Sequence, residues 1–213
     1  MDIIKTIGLH RIVPVIELET EDQAIPLGCA LLEGGLPLAE ITFRTVAAES
    51  SIRRMVKELP QMVVGAGSVL NIQQAQAAAD AGAQYIVSPG FDPGVVDWCQ
   101  EHDISTFPGV ATPTEITMAL SRGLKILKFF PAEALGGLNT LKAVSAPFPG
   151  VKFIPTGGIT EKNLEEYLKL PAVHACGGSW LVAKKLISAG NFAEITHLTQ
   201  EAISLVHLVG GDQ

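Results

Sequence analysis

The chain has 213 residues, 47% hydrophobic and 17% charged, with 15 Lys+Arg against 22 Asp+Glu for a formal charge of −7. That length suits one domain with a substantial core, or at most two small ones, and a mean hydropathy of +0.33 argues against intrinsic disorder. Apolar runs are too short and too often broken by Gly or Pro to cross a bilayer, and a pI near 5.2 without a Lys/Arg cluster offers nothing to a nucleic acid.

Residues 1–10 are expected to form an N-terminal helical extension. The start, Met1 to Arg11, lacks the basic region, long apolar core and small-residue cleavage site of a signal peptide, which points to a cytoplasmic protein. From there short apolar runs alternate with segments of helical period. The runs are RIVPVIEL (11–18), LAEITFR (38–44), MVVGAGS (62–68), YIVSP (85–89), STFPG (105–109), LKILKFFP (124–131), VKFIPTGG (151–158) and VHACGGS (173–179), about eight strands.

Between the strands, Ile52, Met55, Val56 and Leu59 mark one helical stripe. Ile195, Leu198, Ala202, Leu205 and Val209 mark another in a C-terminal helical segment, 180–213. Thr112-Pro113-Thr114-Glu115 and Asp92-Pro93 read as helix starts. Thr20 to Gln23 resembles a capping box but would place Pro26 inside the helix, so a kink or a later start is needed there. Strands separated by such helices favour right-handed crossovers and a parallel sheet, and eight units in this length give a single-domain (β/α)₈ TIM barrel over 1–213. An open dinucleotide-binding sheet is disfavoured, because ELETEDQ stands where its glycine-rich turn would be. Cys29, Cys99 and Cys176 form no CxxC pair and read as reduced, buried thiols. The five histidines never take a metal-ligand spacing, so no metal is assigned.

In a parallel barrel, reacting groups project from the C-terminal ends of strands. Lys125 and Lys152 lie at strand beginnings, whereas Lys128 lies late in its run and by period two faces inward with Ile126 and Phe130. Burial among apolar groups penalises an ammonium ion and favours a free amine able to attack a carbonyl, which is Schiff-base chemistry. The alternative is a lysine that snorkels to the rim or pairs with a carboxylate.

Glu40, Thr42 and Arg44 share strand parity. Glu40 is placed to relay protons beside such an amine, or else to fix register through an ion pair, and Arg44 to clamp a substrate carboxylate. PTGGIT (155–160) and CGGSW (176–180), each expected to lead into a helix, follow the seventh and eighth strands, the usual barrel location for phosphate, with Ser179 as an added donor. Ser68, leaving GAGS (65–68), is placed to donate to a ligand carboxylate.

Taken together, EITFRT (40–45), VGAGSVLN (64–71), VSPG (87–90), FPG (107–109), LKFFPAEALGG (127–137), PTGGI (155–159) and GGSW (177–180) resemble the 2-keto-3-deoxy-6-phosphogluconate (KDPG) aldolase family, in order and over nearly the whole chain. The resemblance implies a homotrimeric class I aldolase on a (β/α)₈ barrel. It would cleave KDPG to pyruvate and glyceraldehyde 3-phosphate in the Entner–Doudoroff route, with no cofactor. It further implies that Lys128 forms the Schiff base, that Glu40 is the acid/base, and that Arg44 and Ser68 hold the pyruvyl carboxylate. Pro89 and Phe130 would line the pocket with Thr156 beside it, while Gly157, Gly158, Gly178 and Ser179 receive the phosphate.

The family usually has Thr where this chain has Ser68, which keeps the hydroxyl but loosens the pocket. Glu133 is expected to order the loop after its strand rather than to catalyse. Alternatives are a preference for 4-hydroxy-2-oxoglutarate or the phosphorylated galactonate analogue, a phosphosugar isomerase on the same barrel, and a non-catalytic sensor of phosphate ligands.

Overall fold

The computed structural model describes residues 2–210. Among these, the strands are β1 (Ile12–Ile16), β2 (Leu38–Thr42), β3 (Val63–Gly67), β4 (Tyr85–Val87), β5 (Ser105–Phe107), β6 (Gly109–Val110), β7 (Ile126–Phe129), β8 (Lys152–Pro155) and β9 (Cys176–Gly178). The helices are α1 (Ile3–His10), α2 (Ala24–Glu33), α3 (Ala48–Glu58), α4 (Ile72–Asp80), α5 (Pro93–Glu101), α6 (Pro113–Leu120), α7 (Gly137–Ser145), α8 (Leu164–Leu168), α9 (Lys184–Ser188) and α10 (Phe192–Gly210).

Every ladder is parallel. The strands form a six-stranded sheet in the order β5-β4-β3-β2-β1-β9 and a three-stranded sheet, β6-β7-β8. Single bridges from Phe153 to Val173 and from Thr156 to Gly177 link the β8 side to the approach to β9. The expected parallel α/β layering is therefore present, but its ladders run in two sheets rather than around one uninterrupted (β/α)₈ cylinder.

The expected fifth strand is divided at Pro108, which has no N–H to give a ladder. Its carbonyl accepts from the Lys128 amide at 3.0 Å instead, and this starts the pairing of β6 with β7. β2 and β3 are buried along their whole length, as strands covered on both faces must be.

The local signals at helix starts are realised. Asp92 and Thr112 each accept from a backbone N–H with the side chain, and Glu115 completes the capping box at Thr112; Asn71, which the sequence did not mark as a helix start, caps α4 in the same way. Pro26 is accommodated by the later start: Thr20 caps a 3₁₀ turn, Glu21–Gln23, and α2 begins at Ala24. The proline then lies in the first turn, where its missing N–H would have had no partner.

Three expectations need correction. The helix after PTGGIT begins at Leu164, not near Thr160, because the Thr160 N–H is taken by Asn163 Oδ1 at 2.8 Å in a turn. The face that α10 buries is Ile195, Thr199, Ala202, Val206 and Val209, with Leu198 and Leu205 only half-buried. Thr199 tolerates this because its hydroxyl donates to the Ile195 carbonyl at 2.7 Å. Of the cysteines, Cys99 and Cys176 are buried but Cys29 is half-buried. Burial pushes the Cys99 thiol up to about 11 and raises Cys176 as well, so both are poor thiolates.

α1 packs onto the His174 ring. Its Nε2 lies 2.9 Å from the Ile4 carbonyl, and a Cβ on Gly8 would lie 2.7 Å from Cε1. Burial holds His174 below the usual imidazole range, with repulsion from Arg11 and Lys152 added; burial, then His207, lowers His10. The unfolded chain thus takes up protons first as pH falls through about 6.5. Stability from these rings is complete above that pH and is lost progressively below it, towards the lowered folded values. The melting temperature should fall between pH 7.5 and 5.5, and by less in His174→Gln once the two proteins are compared as differences from their own pH 7.5 values.

Candidate active site

Lys128 alternates along β7 with Leu127 and Phe129, which are fully buried on the opposite face. Its side chain therefore turns toward β2, where it meets Glu40 with Nζ 3.3 Å from Oε1. The two residues are 5% and 3% exposed. They come from different sheets, so the sheets curl to face one another across a shared interior. A charge pair this deep survives only when both partners are present, since removing one strands the other in a poorly solvated site. The Phe130 ring centroid lies 5.2 Å from Nζ.

Two residues that the sequence reading did not single out shape this centre. A Cβ on Gly67 would fall 2.3 Å from Glu40 Oε1, so the glycine makes the space that the carboxylate occupies. Tyr85 is fully buried and donates its hydroxyl to the Ala39 carbonyl at 2.9 Å, beside Glu40 on β2. Burial, with the Glu40 charge added, holds its phenol well above the usual range. Glu40, Tyr85, Lys128 and Thr156 border a cavity of about 10 Å³, on the order of one water site. Gly67→Ala should displace the carboxylate and lower kcat by about 10²-fold, the scale of a 1 Å misplacement, while the melting temperature changes far less in proportion. Steady-state kinetics alongside thermal melts checks this.

Thr156 also borders a larger cleft of about 520 Å³, so it stands where the buried pair opens toward solvent. Arg44, Phe130, Gly157, Gly158, Gly178 and Ser179 line this cleft with it. Ser68 is outside the lining, but its Oγ accepts the Arg44 Nε–H at 3.1 Å and steers the guanidinium. The residue adopts φ 56°, the left-handed conformation that lets the chain leave β3 sharply. Pro89 is not in the lining either; its carbonyl lies where a Cβ on Gly109 would be, at 2.1 Å.

The glycine turn after β8 is held from behind. The Thr156 and Gly157 carbonyls accept from the Ala132 and Glu133 amides at 2.8 and 3.0 Å, and the Gly158 carbonyl accepts from Asn163 Nδ2 at 3.0 Å. In a trans peptide the next N–H points the opposite way, so the amides of Gly157, Gly158 and Ile159 turn toward the cleft those residues line. Positive φ at Gly157 and Gly158, +98° and +83°, makes this reversal possible. Gly178 has a packing reason as well, since a Cβ there would lie 1.7 Å from the Trp180 ring. Glu133 orders its loop as expected: its carboxylate accepts the Tyr167 hydroxyl at 2.5 Å while its amide holds Gly157.

The arrangement offers a buried amine beside a carboxylate, a solvent-exposed guanidinium, and a cradle of amide donors at one end of the parallel strands. Among the described residues no group of three or more His, Cys, Asp or Glu side chains is placed to hold a metal ion, and no helix is long and apolar enough to cross a membrane.

Residues 3–198 match the family model described as KDPG and KHG aldolase. The chain is 46% identical to a protein of Treponema pallidum (strain Nichols) named 2-dehydro-3-deoxy-phosphogluconate aldolase, over 92% of this chain and 93% of that one. It is 43% identical to the KHG/KDPG aldolase of Escherichia coli (strain K12), over 90% of each. A crystal structure of KDPG aldolase from Legionella pneumophila, with pyruvate captured at low pH as a covalent carbinolamine intermediate, superposes with a TM-score of 0.91 at 39% identity, covering 93% of this chain and 97% of that one.

Proposed function

The chain belongs to the KDPG and KHG aldolase family, and on that premise we propose that it cleaves KDPG to pyruvate and glyceraldehyde 3-phosphate through an imine on Lys128. The observation that carries the reading is the Lys128–Glu40 pair, 3.3 Å apart and almost wholly shielded from water, bordering a small cavity that shares Thr156 with the open cleft.

Glu40 takes a proton from the Lys128 ammonium, and the freed amine attacks the C2 ketone. Glu40 returns the proton to the carbinolamine hydroxyl, which leaves as water and gives the protonated imine. That cation is the electron sink. A base removes the C4 hydroxyl proton, the C3–C4 bond breaks, and its electron pair forms the enamine while the aldehyde departs. Protonation at C3 and hydrolysis then release pyruvate and restore the amine.

Arg44, steered by Ser68, holds the pyruvyl carboxylate, and Phe130 and Thr156 shape the space around C2. Pro89 supports the wall from behind through Gly109. The amides of the Gly157–Gly158 turn, with Gly178 and Ser179, take the phosphate. Turnover measured as pyruvate released from KDPG tests this directly, and no release would sink it. The KHG/KDPG name of the Escherichia coli relative favours 4-hydroxy-2-oxoglutarate as a slower second substrate. Ser179→Ala should raise KM for KDPG about threefold to tenfold, the worth of one ordinary hydrogen bond at an exposed position, and leave kcat within twofold.

The two sheets are read as one (β/α)₈ barrel forming a single domain over 1–213. The bridges between the β8 side and β9, and the single residue between β5 and β6, support that closure. The protein is proposed to be cytoplasmic and a homotrimer. Support for assembly comes from exposed Val46 and Leu70, which follow the paired strands β2 and β3. Light scattering should return three times the 22.5 kDa chain mass, falling toward one chain in Val46→Asp/Leu70→Asp.

A further inference from the structure

At the mouth of the cleft two cations share one carboxylate. Glu17 follows β1, and β1 lies between β2 and β9 in the sheet, so the residue leaving it stands between the segments leaving those two strands. On one side its Oε2 is 3.7 Å from an Arg44 guanidinium nitrogen. On the other its Oε1 is 3.1 Å from Lys184 Nζ, which also pairs with Glu19. Glu17, Arg44 and Lys184 line the cleft together with Gly178 and Ser179.

Among the described residues of that lining, Arg44 and Lys184 are the cations, one on the β2 side and one beyond β9. A substrate anionic at both ends needs both. The glycine amides alone carry only partial charges, and a chain of formal charge −7 repels an approaching dianion overall. The lysine's present partners are held weakly, because its side chain is 56% exposed and ion pairs in that setting are screened by water. A phosphate has more charge and more acceptor oxygens than a carboxylate, so the exchange favours the substrate.

We propose that Lys184 is a specificity-determining residue that reads the substrate phosphate, and that Glu17 is its stand-in anion in the free protein, surrendered when the phosphate enters. This rests on the aldolase reading of the cleft. It assigns charge discrimination to a side chain outside the glycine turns.

Two variants break the same ion pair from opposite ends. Lys184→Met should raise KM for KDPG roughly threefold to tenfold, with kcat little changed and the salt dependence of KM reduced. Glu17→Gln should lower KM for KDPG about twofold to threefold, since it removes from the cleft one of the two carboxylates that hold the cation. A tie that merely anchors β1 to α9 would move both variants the same way or neither, and that result would overturn the proposal. Deuterium exchange into the methyl group of pyruvate, which carries no phosphate, reports the buried amine separately. Exchange in the wild-type chain with an unchanged KM for KDPG in Lys184→Met would overturn the role of Lys184 alone. No exchange in the wild-type chain would overturn the aldolase reading and this assignment with it.

Discussion

Borohydride added to the chain in the presence of pyruvate should leave a stable adduct on Lys128, found in the peptide that contains LKFFP. Reduction converts the imine to a secondary amine that survives digestion, so the modified residue can be mapped by mass spectrometry. Lys128→Ala should gain no adduct and lose turnover by roughly 10⁴-fold or more, a large share of the acceleration an enzyme provides. That variant also strands Glu40 in a site 3% exposed, a loss of about 3–5 kcal/mol for a broken buried pair. Lys128→Arg is the control for folding: it keeps a cation beside Glu40 but has no amine that can form an imine. A folded Lys128→Arg protein that turns over normally, or an adduct on another lysine, would refute the assignment.

Glu40→Gln should cost about 10²–10⁴-fold in kcat, the range for a positioned acid/base. Its amide oxygen can still accept from Lys128 at the 3.3 Å separation, so the amine stays in place while the proton relay is lost. The signature is a separation of steps. Trapping by borohydride should still occur, because the imine eventually forms, but its rate of appearance should fall in step with kcat. Rapid-quench measurement of the adduct distinguishes this from collapse of the site, which would abolish trapping altogether. Loss of less than tenfold would mean that another group carries the protons.

Much of this centre is legible in the one-dimensional record, because strand parity is a local property. The alternation in LKILKFFP and LAEITFR places Lys128 and Glu40 on the same kind of face, and burial of each on that face follows from their apolar neighbours. Helix starts at Asp92 and Thr112 are equally local, since a cap is decided by the residue and the three that follow. Pro26 announces a conflict, and the later helix start resolves it within a few residues.

Other features depend on what lies across the interior. Gly67 reads as an ordinary turn glycine until Glu40 is seen in the space its side chain would fill. Tyr85 reads as a strand aromatic, and only its position beside Ala39 shows that it packs next to the acid. Ser68 acts on Arg44, and Glu17 joins Arg44 to Lys184, through contacts between residues leaving different strands.

By itself, then, the sequence determined the alternating parallel α/β layering and the inward parity of Lys128 and Glu40 late in their strands, both of which are written in periodicity and residue type. Tertiary structure alone decided that these two groups lie within 3.3 Å of each other, that the ladders run as two sheets divided at Pro108, and that the glycine-turn carbonyls are held by the Ala132 and Glu133 amides and by Asn163. The reason is range: periodicity reports which way a side chain faces, whereas distance and peptide orientation depend on how remote strands curl and which carbonyls are held from behind.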